Sequence, residues 1–268
     1  VWFQGRFGFI AAYAYNQIEQ NPDWLAASRS CIDFMEKHCF DKDGRMFFEV
    51  TEEGLPLRKR RYVFSECFAA IAMSEYALAS GDRTYAEKAL DLFKRILRNL
   101  ATPGLLEPKY LPTLQARGHS ITMILINTAS RIRAAISDPI LDTQINESIA
   151  AIRRYFMHPE FKALLEMVGP DGELIDTCNG RVINPGHCIE TAWFILEEAK
   201  HRHWDKDLVQ MGIRILEWSW EWGWDKEYGG IINFRDCRNF PVQDYSQDMK
   251  FWWPQTEAII ATLYAYQA

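Results

Sequence analysis

The sequence predicts an all-α fold, an (α/α)6 toroid of alternating inner and outer helices with short β-hairpin connections. Three observations predict it. Stretches that are apolar on most faces recur at a period of about 60 residues, starting near Phe3, Val63, Ser120, Gly186 and Trp253. Amphipathic stretches with clear polar faces alternate with them, near residues 23–38, 83–99, 141–156 and 206–222. The connections carry tight-turn chemistry rather than linker composition.

The elements follow in order. VWFQGRFGFIAAYAYN is apolar nearly all round and reads as the first inner helix. Asn21-Pro22-Asp23 is a helix start signal and opens the first outer helix. FDKDGRMFFEVTEEGLP has the Asp-Gly chemistry of a hairpin. SECFAAIAMSEYALA is the second inner helix, and Gly81-Asp82 stops it and starts the next outer one. SITMILINTASRI is the third inner helix, and Asp138-Pro139 starts the third outer one. GPDGEL is a turn, ETAWFILEEA belongs to the fourth inner helix, DKEYGGIINFRD carries a Gly-Gly turn, and TEAIIATLYAY is the fifth inner helix. Buried inner helices favour closure over an open solenoid, which would leave one face of each helix wet. A closed toroid needs six of each kind, and this pattern supplies five inner and four outer. The chain is therefore expected to be one catalytic domain, 1–268, lacking some terminal helices at both ends.

Composition excludes several functions. A net charge of −6 with no Lys/Arg stripe argues against nucleic acid, the densest basic cluster being Arg58-Lys59-Arg60-Arg61. No apolar run approaches the roughly 20 residues that span a bilayer, and the N-terminus does not read as a signal peptide. Six cysteines without C-x-x-C spacing point to a reducing, cytoplasmic setting and no structural zinc. The aromatic content of 14%, with ten tryptophans, suits either a large aromatic core or a cleft in which rings stack on a sugar.

Polar residues recur at the first turns of the inner helices: Arg6, Glu66, His119 just before the third, His187 and Glu190, and Glu257. Parallel inner helices gather these ends at one mouth, where helix N-termini favour a developing oxyanion. In Asn184-Pro185-Gly186-His187-Cys188-Ile189-Glu190, the i, i+3 spacing puts imidazole and carboxylate on one face. A carboxylate beside a histidine orients it and raises its basicity, which suits proton abstraction. A purely structural His–Glu pair fits the same spacing. Arg6, Glu66 and Glu257 sit in apolar helices and need either a polar cavity or one another as buried ion-pair partners. His119 follows Gly118 and reads as a helix cap or a second site histidine. His38, His158, His201 and His203 are read as solvated, and His201-x-His203 lacks a third metal ligand.

At these residues the chain resembles the N-acylglucosamine 2-epimerase family, whose mammalian member is also called renin-binding protein. The segments that carry the likeness are Trp2-Phe3-Gln4-Gly5-Arg6, Val63-Phe64-Ser65-Glu66-Cys67-Phe68 with Ala72-Met73-Ser74-Glu75, Asn184-Pro185-Gly186-His187 with Glu190, and Lys250-Phe251-Trp252-Trp253-Pro254 with Glu257-Ala258. The resemblance implies a metal-free isomerase that interconverts N-acetylglucosamine and N-acetylmannosamine. Ring opening, removal of the C2 proton by a histidine, a cis-enediolate and proton return to the opposite face are the implied steps. His187 matches the motif histidine and Glu190 its neighbouring acid. Arg6 matches the arginine near O1 and O2, where a cation stabilises the enediolate. Glu66, Glu257, Trp253 and His119 are the implied substrate-binding residues. The family's second catalytic histidine is expected beyond residue 268. The resemblance further implies a cytoplasmic homodimer that needs no cofactor, with ATP raised as an allosteric activator although no phosphate loop is visible.

The related cellobiose 2-epimerases carry an extra histidine in the third inner helix. The equivalent stretch here, Ile121-Thr122-Met123-Ile124-Leu125-Ile126, has none, which favours the N-acyl-hexosamine branch. The alternatives are an epimerase or isomerase of another aldose such as mannose or cellobiose, a glycoside hydrolase on the same toroid using two of the glutamates, and a sugar-binding protein without turnover.

Overall fold

The structure is a computed structural model that describes residues 1–60 and 62–268; Arg61 of the basic cluster lies outside them. The chain packs into two compact units, Val1–Leu111 with Asn127–Ile145 and Pro112–Ile126 with Asn146–Ala268.

The first unit opens with α1 (Trp2–Gln17) and α2 (Pro22–His38), then the antiparallel pair β1 (Phe47–Val50) and β2 (Pro56–Lys59), then α3 (Phe64–Ser80) and α4 (Arg83–Ala101). Side-chain caps set the starts. Asn21 Oδ1 accepts from Asp23 N at 2.9 Å, with Pro22 at the first helical position. Gly81 closes α3 at φ +72°, and Asp82 then accepts from Thr84 N at 3.0 Å to open α4. The apolar pattern of α3 is explained by burial of every residue from Ser65 to Ala77. In α4 burial falls on Tyr85, Ala89, Leu92, Phe93 and Ile96, the stripe of an outer helix. Helices α1 and α3 approach so closely that a Cβ at Gly5 would lie 2.8 Å from the Phe68 carbonyl carbon.

The division between units falls inside α5 (His119–Ala135) and α6 (Pro139–Ala151). The second unit holds the short strands β3 (Arg117–Gly118), β4 (Met157–His158), β5 (Ala163–Leu164), β6 (Met167–Val168), β7 (Val182–Ile183) and β8 (Arg235–Asp236), with α7 (Pro185–His201), α8 (Lys206–Gly223) and α9 (Trp252–Gln267). The pairs β3–β6, β4–β5 and β7–β8 are all antiparallel. Helix α7 packs on α8 and α9.

Two departures from the sequence reading have physical causes. The third outer helix ends as an α-helix at Ala151 and continues as a π turn over Ile152–Phe156, a feature with no periodic signature of its own. The first and last inner helices are not buried all round. Phe3 is 83% exposed on α1 and Trp252 71% exposed on α9, because each packs on neighbours along one side only among the described residues.

Candidate active site

In the second unit, strand β7 delivers the chain to Asn184, whose side chain accepts from the backbone N of His187 at 3.1 Å and starts α7. Pro185 takes the first helical position, where its missing N–H costs nothing. His187 is therefore held in the first turn of a capped helix, with 30% of its side chain exposed.

Its Nδ1 lies 3.0 Å from Glu166 Oε1. This carboxylate comes from the turn between β5 and β6 and is clamped by its backbone: His119 N donates to its carbonyl at 3.0 Å, and its own N donates to the Val182 carbonyl at 3.2 Å. Glu166 is the residue sequence reasoning missed. Its signal was present, an acid in the apolar run FKALLEMV, the same anomaly that marked Glu66 and Glu257. The sequence assigned the orienting carboxylate to Glu190; the structure places Glu166 at Nδ1, and the Glu190 charge acts on the same ring.

Burial alone would lower the proton affinity of His187 and raise that of Glu166. Charge outweighs it in both cases. The Glu166 charge and hydrogen bond, followed by the Glu190 and Glu257 charges, push His187 up to about 9. The charge of His187 and then the nearby His119 ring hold Glu166 well below the usual carboxylate range. The resting pair is thus imidazolium and carboxylate at neutral pH. With Nδ1 engaged, Nε2 is the ring nitrogen available to a ligand.

From α9, the Trp253 ring lies 5.4 Å from the His187 ring, tilted by 40°. Gly186 makes this approach feasible, because a Cβ there would come within 2.7 Å of Trp253 Cζ3 and 3.1 Å of Pro254 Cγ. Gly186→Ala should cost about 1–3 kcal/mol by overpacking and displace the ring beside His187. Chemical denaturation of the full-length protein checks the first, and loss of turnover the second. Glu257, one turn along α9, accepts from Trp193 Nε1 at 2.7 Å.

His119, offered by the sequence as a substrate contact, has no exposed surface and is closed off from any ligand. It stands behind Glu166, with Nδ1 3.7 Å from Oε1. The π turn sets Phe156 edge-on against its ring at 5.4 Å.

Arg6 and Glu66 belong to the first unit. Arg6 is exposed, and its guanidinium lies 4.3 Å from the centre of the Phe68 ring. Glu66 is 1% exposed and accepts from Arg45 Nε at 2.6 Å and Met46 N at 3.0 Å. The same guanidinium donates to the carbonyls of Arg60 and Tyr62. Glu66 is thus neutralised by Arg45, in a buried pair that ties the hairpin to α3. Arg45→Met leaves that carboxylate without its cation and should cost about 3–5 kcal/mol, read as a shift in the denaturation midpoint. Among the described residues no group of three or more His, Cys, Asp or Glu is placed to hold a metal. No helix of the described residues is long and apolar enough to cross a membrane.

The family model for N-acylglucosamine 2-epimerase (GlcNAc 2-epimerase) matches residues 1–268. The chain is 30% identical to the N-acylglucosamine 2-epimerase of Bos taurus over 99% of its own length and 65% of the other's. It is 21% identical to the cellobiose 2-epimerase of Dictyoglomus turgidum, over 100% of this chain and 68% of that one. Among solved structures, the cellobiose 2-epimerase from Bacillus thermoamylovorans superposes with a TM-score of 0.84 at 18% identity, covering 98% of this chain and 70% of that one. These structural relatives are epimerases of the (α/α)6 toroid type, and the all-α fold predicted from the sequence is theirs. The chain belongs to the N-acylglucosamine 2-epimerase family. It spans about two thirds, 65%, of the length of the cattle relative.

Proposed function

We propose that the full-length protein is a sugar 2-epimerase that interconverts N-acetylglucosamine and N-acetylmannosamine through C2 of the open-chain sugar. One observation carries the reading: His187 is fixed in a helix first turn with Nδ1 on Glu166 at 3.0 Å, leaving Nε2 for the substrate. Membership of the family and the names of its relatives support the substrate.

In the forward half-reaction a base takes the C2 proton. The C2–H electron pair becomes the C1=C2 double bond, and the carbonyl π pair moves to O1. The enolate collapses by the reverse electron flow as a second acid–base group, in its protonated form, delivers a proton to the other face. His187 is one of the two proton carriers, and a positioned acid–base group of this kind supplies about 10²–10⁴-fold in rate. Glu190 and Glu257 add negative charge that favours its protonated form, Trp253 forms the wall beside it, and Arg6 is proposed, on family resemblance alone, to stabilise the charge that develops on O1. The scheme uses protons alone. Free cysteines throughout the described residues fit a cytoplasmic setting; a homodimer and activation by ATP are proposed on family resemblance alone.

The test is equilibration of each epimer by the full-length protein, followed by chromatography. Both N-acetylhexosamines should reach the same mixture while cellobiose and mannose stay unchanged. Preferred turnover of cellobiose or mannose moves the substrate to another branch, hydrolysis of an aryl glycoside replaces epimerisation, and sugar binding without turnover makes the protein a binder.

A further inference from the structure

His119 is a buried histidine that no sugar can reach, yet its two nitrogens face the two groups that hold His187. We propose that His119 is a positioning residue for the reaction: anchored on Thr191, it presents Nδ1 to Glu166 from behind and compensates that carboxylate when His187 gives up its proton. The inference rests on the reading of His187 as a proton carrier.

Hydrogen-bond bookkeeping assigns the ring. Thr191 Oγ1 has a single proton and donates it to the His187 carbonyl at 2.8 Å. The same hydroxyl lies 3.0 Å from His119 Nε2 and can share that proton with it, which leaves the single ring proton for Nδ1. Nδ1 is then the only other ring nitrogen. It is buried, has no hydrogen-bond partner within ordinary distance among the described residues, and points at Glu166 Oε1 from 3.7 Å. A bare lone pair there would face the lone pairs of a carboxylate. A proton on Nδ1 instead meets them, and a movement of about 0.7 Å closes an ordinary hydrogen bond.

Glu166 thus stands between two imidazoles. While His187 is protonated, the carboxylate is neutralised from the front. Once the proton has passed from Nε2 to the sugar carbon, Glu166 is a partly buried anion facing a neutral ring, and an uncompensated charge of that kind is costly. His119 supplies the second donor. The other charged groups acting on His187 are Glu190 on its own helix and Glu257 on α9, and neither touches His119 in any contact described. Phe156 closes the remaining side of the His119 ring.

The test is a titration of ring nitrogens by NMR in full-length protein labelled at histidine, with His187→Asn identifying the signal. His119→Gln keeps a hydrogen-bonding group near the Nε2 position for Thr191 but leaves Glu166 bare behind. His119→Asn keeps a donor near the Nδ1 position. Without the rear donor Glu166 attracts the His187 proton more strongly, so His119→Gln should raise the His187 titration by at least half a unit, about threefold in proton affinity. The alkaline limb of kcat/KM should rise with it, and kcat should fall about tenfold with KM nearly unchanged. His119→Asn should restore the wild-type titration. Should His119→Gln fail to fold, as judged by its melting transition, Thr191→Val removes the anchor and should move the His187 titration the same way. An identical His187 titration in wild type and in whichever of these variants folds overturns the proposal. Because the titration needs no substrate, a protein that shows the shift but turns over no sugar refutes the epimerase reading and leaves the coupling standing.

Discussion

His187→Asn in the full-length protein should lower kcat for epimerisation by at least about 10³, near the upper part of the range for a positioned acid–base group, with KM changed far less. Asparagine can place its amide near the Nδ1 position and keep a donor for Glu166, so the carboxylate is not left bare and the fold should survive. What is lost is Nε2, the one nitrogen left available to the sugar. Steady-state rates in both directions check it. The two directions must fall by the same factor in kcat/KM, because the equilibrium between the epimers is not changed by the enzyme.

Glu166→Gln carries the second large effect, and its signature is the pH profile. In a two-base epimerisation the competent free enzyme carries one proton shared between its bases, and kcat/KM falls at high pH when that proton is lost. With His187 pushed up to about 9, the alkaline limb should lie near pH 9 in both directions. His187 is protonated below that value and neutral above it. Replacing the carboxylate by an amide removes the largest of the influences that raise it, so its affinity falls toward the ordinary 6.5. The alkaline limb should move down by more than one unit, and kcat should drop about 10²-fold as the ring loses its orienting acceptor. A Glu166→Gln profile that keeps its limb near pH 9 would show that another group holds the proton.

The helices were legible because their signals are local. Asn21-Pro22, Gly81-Asp82 and Asp138-Pro139 mark their own starts, and each of the three Asn or Asp side chains accepts a first-turn backbone N–H. His187 could be singled out for the same reason, since capping geometry and an apolar helix around a histidine are both visible in a single stretch. Glu166 could not be assigned. Its partner lies 21 residues away, and the strands that bring the two together are pairs of residues too short to carry a period. The same limit governs Glu66. The pattern showed that a buried acid needed a partner, but Arg45 sits in a turn where an arginine is unremarkable, so the need was matched to the wrong cation. The burial of His119 was equally out of reach, because it depends on Phe156 in a π turn that reads as ordinary helix.

The most direct test of the central claim is proton exchange at C2 itself. N-acetylmannosamine incubated with the full-length protein in heavy water should acquire deuterium at C2, and so should the N-acetylglucosamine formed from it. The same incubation with His187→Asn should leave C2 protonated over the same time. Deuterium at C2 that appears equally fast with His187→Asn, or epimers that equilibrate while C2 keeps its original proton, would contradict the assignment of His187 as a carrier of that proton.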